Sequence, residues 1–117
     1  MLRRMRIHLM LSFLFTTAAL AAEPAQSAPK ASDLLGSCGV AGVSCTDFEK
    51  TAGPGAKEAC IKYKLTWSDK ACATKDVVGT CVKKEGAGRS YTHSYPPGTP
   101  ATAKTACSNT PGGTFVP

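Results

Sequence analysis

His93 stands between Tyr91 and Tyr95, the one grouping with chemical colour in this 117-residue chain. A histidine can serve as a general base or a pH switch, but it needs an orienting acid and a nucleophile. Its nearest hydroxyls in sequence, Ser90 and Ser94, point to the opposite face if the stretch is a strand. The plainer reading is an aromatic-rich sheet face packed inside the fold. Asp47 and Glu49 flank Phe48, and paired carboxylates can cleave glycosides. Two acids just ahead of a helix also complement its dipole, and we expect that role instead. Gly86-Ala87-Gly88-Arg89 has the glycines of a phosphate loop but not its G-x-x-x-x-G-K pattern, and it reads as a hairpin turn. We expect no catalytic, cofactor-binding or metal-binding residues and no cofactor.

Cys38, Cys45, Cys60, Cys72, Cys81 and Cys107 are the other reactive side chains. Their separations of 7, 15, 12, 9 and 26 residues fit no zinc module, and no C-x-x-C occurs. An even number in a small chain points to a disulfide framework, with no spare thiol for nucleophilic catalysis. Such a framework offsets a thin core: beyond residue 22 the aromatics are Phe48, Tyr63, Trp67, Tyr91, Tyr95 and Phe115.

The elements that hold these residues announce themselves by an echo. Ala56-Lys57-Glu58-Ala59-Cys60 returns as Ala103-Lys104-Thr105-Ala106-Cys107. Each copy follows a proline and precedes an aromatic, Trp67 or Phe115. Proline suits the first turn of a helix, and Thr99 is the expected cap before Pro100. Helices are expected over 54–63 and 100–108. The second stops at the breaker cluster 108–113, whereas the first has no glycine stop and gives way to a strand at 64–67. Strand–turn–strand is expected over 79–95, with Tyr91, His93 and Tyr95 sharing a face and Pro96-Pro97-Gly98 ending it.

Two units follow, 38–67 and 72–115, with the 79–95 hairpin as an insertion in the second. The expected fold is a small disulfide-rich α+β domain, two pseudo-repeated strand–helix–strand units sharing an antiparallel sheet with the helices on one face. Six cysteines allow fifteen pairings. Symmetry between the units favours Cys45–Cys60 and Cys81–Cys107 within them and Cys38–Cys72 between them.

Residues 1–22 read as a signal peptide: Arg3, Arg4 and Arg6, an apolar run from Ile7, then Ala19-Leu20-Ala21. The run is shorter than the roughly 20 residues of a membrane span. Leu35-Gly36-Ser37-Cys38 mimics a lipoprotein acylation box, but a polar segment separates it from the apolar run. Residues 23–36 read as a flexible leader and 37–117 as the stapled domain. Without the three signal arginines, eleven basic and eight acidic residues remain, a formal charge of +3 in place of +6. The lysines are scattered, which argues against a nucleic-acid surface.

From Cys45 the order Cys-Thr-Asp-Phe, Thr66-Trp67, Val78-Gly79-Thr80-Cys81 and Gly113-Thr114-Phe115 resembles small cysteine-rich exported proteins of Gram-negative bacteria. The resemblance implies a periplasmic or secreted location and a disulfide fold, and no activity. The expected function is therefore a non-enzymatic exported module, binding or structural, with no membrane span after signal cleavage. The alternative is an inhibitor or toxin-like effector. It would act on an extracytoplasmic protein or envelope component through the 83–97 hairpin, with Lys83, Lys84, Arg89, Tyr91, His93 and Tyr95 as contacts.

Overall fold

The computed structural model describes residues 29–117; the signal segment 1–22 and the first part of the leader lie outside them. Six strands form one antiparallel sheet: β1 (Leu34–Val40), β2 (Ser44–Glu49), β3 (Thr66–Ser68), β4 (Gly79–Glu85), β5 (Gly88–Ser94) and β6 (Gly113–Val116). Two helices, α1 (Gly55–Lys62) and α2 (Pro100–Ser108), complete it. The sheet order is β3-β1-β2-β5-β4-β6. Each half runs strand, strand, helix, strand, and in each the third strand returns to the outer side of the first.

The end of the expected leader belongs to this sheet. Leu34 is buried and opposite Glu49, so the folded domain begins by residue 34 and not at 37. Two glycines and a serine in Leu34–Val40 hide the strand from propensity, and its partners on both sides hold it.

The 79–95 hairpin is the pair β4–β5. It is not an insertion, because the first half carries its own hairpin, β1–β2, turning at 41–43. Helix α2 is as expected, its Thr99 cap closed by a capping box: Thr99 Oγ1 accepts from the Thr102 amide (3.2 Å), and Thr102 Oγ1 accepts from the Thr99 amide (2.9 Å). Helix α1 ends without glycine because Lys64 itself takes the left-handed conformation (φ 58°), and the Leu65 amide closes the turn on the Cys60 carbonyl at 3.0 Å.

Register assigns the two faces. Residues directly opposite one another in a sheet point the same way. Trp67, Cys38, Thr46, Thr92, Cys81 and Phe115 form one such row across all six strands. Cys38 bonds to Cys60 of α1 and Cys81 to Cys107 of α2, so both helices lie on this face. Trp67 lies over Gly36, where an added Cβ would sit 2.5 Å from Cζ2; Phe115 lies over Gly79, where a Cβ would sit 2.5 Å from Cε2. In each half, then, an edge-strand aromatic packs on a glycine two residues ahead of a helix-tethered cysteine.

The bridges are Cys38–Cys60, Cys45–Cys72 and Cys81–Cys107. The last is as expected; the expected Cys38–Cys72 and Cys45–Cys60 are replaced. The pleat is the reason. Cys45 sits opposite Gly39, one position out of phase with Cys38, and faces away from α1. It meets Cys72 on the connection 69–78, which crosses the sheet's other face. Among the described residues, half of the buried apolar side chains are half-cystines, alongside Leu34, Val82, Tyr91 and Ala103, so covalent bonds stand in for a larger core.

Candidate functional site

The residues singled out around His93 lie on the face that the 69–78 connection crosses. Register brings Asp47 of β2 opposite Tyr91 of β5, and Thr80 of β4 opposite His93. Asp47 is buried. Its Oδ1 accepts the Cys72 amide (2.8 Å), and its Oδ2 accepts from His93 Nε2 (2.9 Å). A carboxylate only accepts, so His93 donates there and its Nδ1 is left for the Thr80 hydroxyl at 2.8 Å. Tyr91 is also buried and donates to Glu49 Oε1 (2.7 Å). Its phenol pKa is raised, first by burial and then by that carboxylate. Tyr95 donates to the Ala73 carbonyl (2.6 Å), and burial, with the charge of Asp47, raises its pKa too.

Asp47, His93 and Thr80 have the order of an acid–imidazole–hydroxyl relay. Sequence reasoning singled out His93 and, separately, Asp47 as a helix-dipole acid, but did not bring them together: Asp47 lies 46 residues away and Thr80 on the neighbouring strand. The chain is closed, however. Both carboxylate oxygens and both ring nitrogens are committed to protein partners, and Thr80 stands on an inner strand paired on both sides. It acts as a clasp between β2, β4, β5 and the connection. Asp47, Cys72 and His93 also cluster closely enough to suggest a metal, but Cys72 is oxidised to Cys45 and supplies no thiolate.

The other expected contacts do not assemble into one surface. Lys83 and Lys84 are successive strand residues and point to opposite faces. Lys83 pairs with Glu85 (3.3 Å) on the helix side, whereas Lys84 sits opposite Arg89, both exposed. The β4–β5 pair lies within the sheet, flanked by β6 and β2.

One concave surface is on the helix side. α1 packs over β1 and β3 and α2 over β4 and β6, leaving β2 and β5 as the floor of a trough between them. A cleft of about 600 Å³ lies along α1 and one of about 310 Å³ along α2; Thr46, Phe48 and Glu85 line both. The floor is hydroxylated: Ser44 and Thr46 from β2, Ser90, Thr92 and Ser94 from β5, with Thr46 and Thr92 hydrogen-bonded at 2.9 Å. Phe48 stacks against Trp67, centroids 6.2 Å apart. The walls are the echoed motif itself. Ala56, Ala59 and Cys60 line one side; Ala103, Ala106 and Cys107 line the other. The spacing i, i+3, i+4 puts each set on one helix face, and alanine keeps the space above the floor open. Serine and threonine hydroxyls both donate and accept without carrying charge, so this floor suits uncharged polar groups.

No protein-family model matches the chain, and neither a curated protein nor a solved structure matches it. Three disulfides and no free cysteine among the described residues mark an oxidising, extracytoplasmic setting. No helix among them is long and apolar enough to cross a membrane.

Proposed function

We propose that this chain is a non-enzymatic binding module of the periplasm or the extracellular medium, and that it holds an elongated, uncharged polar ligand in the trough over β2 and β5. The observation that carries the proposal is the pairing of the two alanine-lined helix faces with a floor of hydroxyls from the two central strands. Ligand sites are concave, with few polar groups that fix orientation, and this surface has that character. The alternative, an inhibitor or toxin-like effector acting through the 83–97 hairpin, has less to work with: Tyr91 is buried and His93 and Tyr95 are bonded inward, leaving Lys84 and Arg89 exposed.

The proposal includes a duplicated strand–strand–helix–strand unit, 34–68 and 79–116. Its support is the shared order of elements and the matched Gly36/Gly79, Cys38/Cys81, Cys60/Cys107 and Trp67/Phe115. A trough between two copies of one helix is what such a duplication builds.

The test is an NMR titration with pools of neutral oligosaccharides and peptides. Amide shifts at Thr46, Thr92, Ala59 and Ala106 are expected. Shifts confined to Thr80, His93 and the 69–78 connection would contradict the proposal.

A further inference from the structure

The large apolar side chains that stand exposed among the described residues are gathered at one end of the sheet. They are Val40 and Val43 around the β1–β2 turn, and Ile61, Tyr63 and Leu65 where α1 passes into β3. β3 runs antiparallel to β1 with Gly39 opposite Thr66, so Leu65 arrives beside Val40. Exposure runs from 39% at Leu65 to 70% at Tyr63. Single exposed apolar residues are ordinary, but a gathered patch marks an interaction surface.

Charge selects its partner. Lys62 and Lys64 alternate with the apolar residues and are exposed, and neither 40–43 nor 61–65 contains a carboxylate. A second copy docked on the same patch would bring like charges together, which opposes self-association. The patch is built from a tight turn and a helix–strand connection beyond the strand ends. A cationic, apolar tip with an amphipathic tyrosine at its most exposed point suits a deformable anionic layer.

We infer that this tip docks on an anionic lipid surface. Tyr63, Leu65 and Val43 enter the headgroup boundary, and Lys62 and Lys64, their stems lying along the apolar surface, reach the lipid phosphates. Val40, Tyr63 and Leu65 also line the cleft along α1, so the tip adjoins the trough, but the inference needs no ligand there.

The test uses the secreted protein carrying Tyr63→Trp, mixed with vesicles whose acyl chains are brominated. The introduced indole is expected to be quenched on phosphatidylcholine vesicles containing phosphatidylglycerol and not on phosphatidylcholine alone. The parent, whose Trp67 packs against Phe48, supplies the background. Lys62→Glu with Lys64→Glu, in a chain with the same N-terminus, should weaken vesicle affinity by at least ~10-fold. These positions are exposed, so the fold is expected to survive, with an unchanged denaturation midpoint as the check. An unquenched indole on anionic vesicles, or equal affinity in the charge-reversed variant, would overturn the inference. So would a concentration-dependent dimer that Tyr63→Ser disperses, or retention on an acidic protein without vesicle binding.

Discussion

Cys38 and Cys45 face opposite sides of one sheet although a single tight turn separates their strands. That phase difference routes the whole framework. Cys38 fastens α1 above the sheet, and Cys45 fastens the 69–78 connection below it. Peptide mapping of the non-reduced protein should recover Cys38–Cys60, Cys45–Cys72 and Cys81–Cys107. Replacing Cys38 and Cys60 together by alanine should cost about 2–5 kcal/mol, read from urea denaturation.

Asp47 holds the opposite face. Asp47→Ala strands the Cys72 amide and the His93 ring nitrogen at buried or half-buried positions. Leaving such donors unpaired costs about 1–3 kcal/mol each. Denaturation should therefore show a larger loss for Asp47→Ala than for Asp47→Asn, whose side-chain oxygen can still accept one of them.

Alkali should destabilise the protein through its tyrosines. Tyr91 and Tyr95 ionise less readily when folded, so the protonated phenols favour the folded state. Their contribution is fully present below the ordinary phenol value of about 10 and is lost as pH rises through the raised folded-state values. Phenolate absorbance followed against pH should show this loss, and Tyr91→Phe should flatten it.

How much of this was legible beforehand depended on whether the signal was local. Helix α2 was legible because its cap, its proline and its breakers are adjacent in sequence. The β4–β5 hairpin was legible from alternation about a glycine turn. β1 was not, since its first three residues, 34–36, fall in the expected leader; Gly36 is needed there for the close approach of Trp67, a tertiary fact. The partner of His93 was not legible either, because only strand register brings Asp47 to it across 46 residues. The floor of the trough did leave a trace, the alternation Ser44, Thr46, Phe48 and Ser90, Thr92, Ser94, one face of each central strand. The echoed helix was visible at once, but its alanines acquire a purpose only when both copies are seen to face the same gap.

Two glycine substitutions should act with opposite sign. Gly79→Ala drives a methyl into the Phe115 ring and should destabilise by about 1–3 kcal/mol. Gly55→Ala meets open space at the start of α1 and should stabilise by about 0.4–1 kcal/mol. Paired urea melts decide this, and a common sign would contradict the packing described.

The trough is tested most directly by filling it. Ala59 and Ala106 are exposed on facing walls, so Ala59→Phe with Ala106→Phe should leave the denaturation midpoint nearly unchanged. The measurement is calorimetric affinity for a neutral ligand found by the titration, parent against this double variant. A loss of at least ~10-fold, about 1.4 kcal/mol or more, is predicted. Equal affinity in the two proteins, both folded, would contradict binding between the helices.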